Sequence, residues 1–89
     1  MRIVVRNLSY RAVEGDLRAL FSRHGVVAGV TLSRGSGIVE MSDPDEGRAA
    51  IRALDGRRIH GRPVELSEAH ASGAWLMDVQ EAYADFGRS

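Results

Sequence analysis

The 89-residue sequence has no cysteine and no lysine, only two prolines, and five aromatic residues. Without cysteine, neither a disulfide nor a thiolate metal site can brace the fold. A single domain of this size buries about 60–65% of its unfolded surface, so its stability must come from a packed apolar core. A hydrophobic content of 44% can supply one. No apolar run approaches the roughly 20 residues of a membrane-spanning helix. The start, Met1-Arg2-Ile3-Val4-Val5-Arg6, carries charge too early for a signal peptide. A soluble, cytoplasmic protein without a membrane partner is expected. His24, His60 and His70 show no metal-ligand spacing, and the carboxylates are scattered. No metal, cofactor, small-molecule substrate or catalytic residue is therefore expected.

The formal net charge is zero, which speaks against a strongly electrostatic nucleic-acid binder. That average hides an asymmetry. Residues 1–66 carry eleven arginines against eight acidic residues, whereas residues 67–89 carry Arg88 against Glu68, Asp78, Glu81 and Asp85. A mildly basic body is followed by an acidic tail.

The apolar pattern predicts alternating strands and helices. Ile3 and Val5 alternate with Arg2, Val4 and Arg6, a period-2 strand. Leu17, Leu20, Phe21 and His24 fall at helical spacing, with Gly25 placed to stop the helix and Val13 standing where a cap belongs. Val26–Ser33 alternates, Arg34-Gly35-Ser36 makes a tight connection, and Gly37–Met41 returns as a hairpin partner. Asp43-Pro44-Asp45-Glu46 reads as a helix start, with Asp43 as cap, Pro44 in the first turn and Glu46 closing a capping box. Gly47, Ala50, Ile51 and Leu54 form that helix's inner face. Arg57–Arg62 reads as a turn-rich connection, and Pro63 opens a last strand marked by Val64 and Leu66. The order is βαββαβ, the ferredoxin-like split βαβ arrangement of the α+β class. It places two helices on one face of a four-stranded antiparallel sheet and leaves the other face open.

Beyond it, Trp75, Val79, Ala82, Tyr83 and Phe86 form one stripe of a C-terminal amphipathic helix. Ser72 can cap its start and Gly87 its end. The expected organisation is a domain over residues 1–69 and a helix within residues 70–89, packed on the domain or on a partner.

Arg34-Gly35-Ser36-Gly37-Ile38-Val39-Glu40-Met41 resembles the octamer of the RNA recognition motif family, which runs basic, Gly, aromatic, small, aromatic, aliphatic, any, aromatic. Ser36, Ile38 and Met41 stand in the aromatic slots. Ile3-Val4-Val5-Arg6-Asn7-Leu8 is similar to the family's hexamer, with Val4 in its aromatic slot. Asp16–Gly25, Ala50–Gly56 and Gly61–Val64 look like its first helix, second helix and last strand. The resemblance covers residues 2–69. It implies that single-stranded RNA crosses the open sheet face, where bases stack on rings from the central strands.

On that resemblance, Arg2, Val4, Arg6, Asn7, Arg34, Ser36 and Ile38 are the candidate RNA-binding residues. Arginines meet phosphates or stack on bases, and Val4 and Ile38 form an exposed aliphatic patch. The alternative role for the arginines is solvated pairing with Glu40 and Glu65. Arg57, Arg58, His60 and Arg62 are either a second phosphate contact or an ordinary polar loop. The rival function is a protein-interaction or dimerisation module that uses the aliphatic face or the helix stripe Trp75, Val79, Tyr83 and Phe86. That helix folds back over the sheet, packs on a sheet edge, or meets a second copy. Acylphosphatases share the split βαβ layout and use an Arg-Asn pair, but no phosphate-cradling glycine loop precedes the first helix here.

Overall fold

The structure is a computed structural model and describes residues 1–69. Its elements are β1 (Arg2–Arg6), α1 (Glu14–Phe21), β2 (Val27–Ser33), β3 (Ser36–Met41), α2 (Pro44–Leu54), β4 (Arg58–Ile59), β5 (Arg62–Pro63) and β6 (Glu65–Ala69). Four strands form one sheet in the order β2-β3-β1-β6, and all neighbours in it are antiparallel. This is the expected α+β split βαβ fold. The expected C-terminal helix, with Trp75, Val79, Tyr83 and Phe86, lies outside the described residues.

The period-2 pattern of β1 decides which face is which. Ile3 and Val5 are fully buried, together with Leu17, Phe21, Val39, Met41 and Ala50. All of these belong to one cluster between sheet and helices. Each fully buried aliphatic or aromatic side chain contributes about 1.5–3 kcal/mol relative to exposure. Gly37 lies on the same face. A Cβ there would stand 3.1 Å from Thr31 O and 3.3 Å from Leu17 Cδ1, so the missing side chain lets α1 settle on the sheet.

Both helices start where the sequence places them, α1 after Val13 and α2 after Asp43. Val13 caps α1 without a side-chain bond. Asp16 compensates by accepting the Val13 N–H at 3.0 Å. The helix ends at Phe21, short of His24 and Gly25, and His24 N–H returns to Phe21 O at 3.0 Å. Gly25 instead lets Glu46 approach: a Cβ there would stand 2.5 Å from Glu46 Oε1. In α2, Asp43 accepts from the Asp45 and Glu46 N–H groups, as expected of a cap. The Glu46 side chain lies beside Gly25, and the expected capping box is not formed.

The connection before the last sheet strand is a small hairpin rather than a plain loop. β4 and β5 pair Arg58 with Pro63 and Ile59 with Arg62. Its turn residues, His60 and Gly61, have φ of 51° and 80°, as a type I′ turn requires. Ile59 is thereby tucked into the core, 9% exposed. Pro63 consequently belongs to this hairpin, and the sheet strand begins at Glu65.

Candidate nucleic-acid interface

Because side chains alternate along a strand, the register also assigns the face away from the helices. Its central row sets Val4 opposite Ile38 and Ser67, with Thr31 beyond Ile38. One end row sets Arg2 opposite Glu40 and Ala69. The other sets Arg6 opposite Ser36 and Glu65, with Ser33 beyond Ser36.

Of the candidates, Arg2, Val4, Arg6, Ser36 and Ile38 share this face. The expected exposed Val4–Ile38 patch is not found. Val4 is only 8% exposed, and it stands outside the core cluster. Neighbours on both flanking strands and arginines on either side along β1 leave this central side chain little room for water. Ile38 remains half-buried. With Arg2, Gly29, Thr31 and Glu40 it lines a shallow depression of about 260 Å³.

The two ends of the face differ electrostatically. Arg2 is paired with Glu40 at 3.3 Å, and both side chains are about half exposed. Arg6 and Arg34 form no ion pair among the described residues. The Arg6 end is therefore where guanidinium groups stand available, tempered by Glu65 opposite in register.

Asn7 leaves the strand with φ 58°, a conformation Asn tolerates better than most residues. Its Nδ2 donates to Pro63 O at 2.8 Å. Its Oδ1 accepts from Arg62 Nη2 at 2.8 Å and Nε at 3.2 Å. Asn7 is thus engaged within the fold and holds the β4–β5 hairpin against the end of β1. Arg62 is its partner, so of the second basic group Arg62 is spoken for. His60 Nε2 lies 2.9 Å from Asp16 Oδ2. The Val13 N–H first and His60 second hold the Asp16 carboxyl below its ordinary value.

Arg34 sits in the β2–β3 turn rather than on the face. Gly35 beside it has φ 73°, which glycine adopts without strain. The Arg34 guanidinium carbon lies 5.8 Å from the Tyr10 ring centroid, near the outer limit of cation–π attraction. Tyr10 was not among the sequence candidates. The signal was an aromatic in a polar loop, Asn7-Leu8-Ser9-Tyr10-Arg11, which reads only as the end of a strand.

The RNA recognition motif profile matches residues 3–65, nearly the whole described fold. The chain belongs to the RNA recognition motif family. RbpD of Nostoc sp., named for RNA binding, is 42% identical over 77 residues, covering 78% of this chain and 82% of RbpD. RbpA of Synechocystis sp., also named for RNA binding, is 42% identical over 77 residues, covering 78% of this chain and 76% of RbpA. Among solved structures, RNA Binding Protein PG1 superposes with a TM-score of 0.72 at 39% identity, covering 78% of this chain and 93% of PG1. The RRM domain of S. pombe Puf1 gives 0.73 at 26% identity, covering 79% and 97%. In this RRM the octamer's departures are now placed: Ser36 and Ile38 face outward without rings, while Met41 is fully buried.

Proposed function

We propose that this RRM binds single-stranded RNA on the open face of its sheet and acts by binding alone, without catalysis. Arg6 and Arg34 meet phosphates, Ser36 supplies a polar contact, and Ile38 gives a base an apolar surface. The observation that carries this reading is an uncovered sheet end, among the described residues, that gathers Arg6, Arg34 and Ser36 with no ion pair on either guanidinium. The relatives' names support it, as does the extent of their match. The face departs from a ring-bearing platform at Val4, Ser36 and Ile38. Each ring stack is worth about 1–3 kcal/mol, so affinity on the order of micromolar is expected.

Fluorescence anisotropy with a labelled single-stranded decamer and the matching duplex tests the reading. Saturable binding of the single strand is expected, with weaker binding of the duplex, whose bases are paired and stacked. Arg6→Ala and Arg34→Ala should each weaken binding and flatten its salt dependence by about 0.7 log unit for every phosphate no longer neutralised. Equal affinity for strand and duplex, or no binding at all, contradicts it.

A further inference from the structure

We propose that Tyr10 is a nucleobase-stacking site, so that the ring missing from the sheet face is supplied by the loop between β1 and α1. This rests on the RNA-binding role of the sheet. Two aromatic side chains lie in the described residues. Phe21 is fully buried, whereas Tyr10 is 80% exposed. An exposed ring beside a guanidinium is the pairing that sequence-tolerant single-strand sites use: a π-face for a base and a cation for the adjoining phosphate.

The turn that carries the ring is held. Ser9–Ala12 is a turn, closed by Ala12 N–H to Ser9 O at 3.0 Å and braced by Arg11 N–H to Ser9 Oγ at 3.1 Å. Leu8 N–H donates to Gly35 O at 3.0 Å, tying this loop to the β2–β3 turn. The ring edge rests beside that turn, since a Cβ on Gly35 would stand 3.4 Å from Tyr10 Cε1. A groove of about 380 Å³ opens here, lined by Ser9, Tyr10, Ala12, Leu32, Ser33 and Arg34.

The spacing fixes how a base enters. A base sandwiched between ring and guanidinium needs two stacking distances of about 3.4 Å, more than the 5.8 Å available. The base therefore takes the ring's other face. Arg34 stays behind the ring and reaches the adjoining phosphate. From there the strand runs past Ser36 and Arg6 on the same end of the sheet.

The test compares a uridine hexamer with a hexamer of the same backbone lacking bases, using the full chain. Tyr10→Ala should weaken binding of the uridine hexamer by roughly 5- to 150-fold, the equivalent of one stack, and leave the abasic hexamer within about twofold. Tyr10→Trp, which keeps a π-face, should retain wild-type affinity. Unchanged uridine binding by Tyr10→Ala overturns the stacking site and leaves the RNA reading standing. Equal losses on both hexamers make Tyr10 a structural support of the turn and likewise overturn it. No binding of either hexamer by the wild-type chain removes the RNA reading itself, and the site with it.

Discussion

Asn7 sits where the hexamer resemblance places an RNA contact, yet its amide is turned to the protein's own Arg62 and Pro63. Replacing it separates two roles. Asn7→Ala loses the amide bonds and puts an ordinary Cβ at φ 58°, so a loss of about 1–3 kcal/mol is expected. Asn7→Gly loses the bonds but tolerates the backbone, and should fall less. Urea unfolding of the two variants checks this; equal stability of Ala and wild type would contradict it. Asp16 offers a second residue-scale test. Its pKa is lowered from 3.8 in the fold. A lowered native pKa adds stability above the unfolded value and loses it as pH falls through the native value. Asp16→Asn should therefore destabilise the protein at pH 6, and the gap should narrow as pH is taken below 3.8. Thermal midpoints at pH 6 and pH 3 measure it. A gap that stays constant would mean that the carboxylate's charge is not what matters.

The elements that the sequence made legible are those with a strong local signal. The alternation of Ile3 and Val5 marked β1, Asp43-Pro44 marked the start of α2, and the tight Arg34-Gly35-Ser36 connection marked the β2–β3 hairpin, in which Ser36 proves to belong to the strand. What could not be read either lacked a distinctive local pattern or depended on tertiary contacts. Asp16 stabilises the start of α1 through a bond that ties back to Val13, where the sequence shows only a missing cap. The β4–β5 hairpin rests on positive φ at His60 and Gly61 and on burial of Ile59, and a single isoleucine among Arg58, His60, Gly61 and Arg62 carries no periodicity. Of the candidate site, face membership followed from period 2 and the family octamer. Exposure did not: Val4 is closed in by strands that are far from it in sequence. Tyr10 was invisible because its value comes from the turn that Arg34 and Gly35 place beside it. Gly37 shows how a motif position can serve packing. Gly37→Val should lose about 1–3 kcal/mol by overpacking against Leu17 and Leu32, read as a lower urea midpoint at unchanged slope. Wild-type stability would mean that α1 can retreat from the sheet without cost.

At the scale of the molecule, RNA binding is referred to a sheet face that is uncovered among the described residues and whose free charge is concentrated at one end. Arg2 is neutralised by Glu40, while Arg6 and Arg34 stand at the opposite end with Ser36 and Tyr10. A nearly neutral chain that meets only a few phosphates should show a shallow salt dependence, about 0.7 log unit in affinity per log salt for each phosphate met. The lack of rings also makes a gain predictable. Ile38→Phe sets a ring on the central row and should tighten RNA binding by roughly 5- to 150-fold; anisotropy with the same decamer reads it, and unchanged affinity would mean that RNA does not cross this row. The most direct measurement is backbone amide chemical-shift mapping of the isotope-labelled chain during titration with a single-stranded RNA decamer. The account predicts saturable shifts at Tyr10, Arg34, Ser36, Arg6 and Ile38, with little change at the helix-face residues Ala50 and Leu54. Shifts confined to the helices, or none at millimolar RNA, would contradict it.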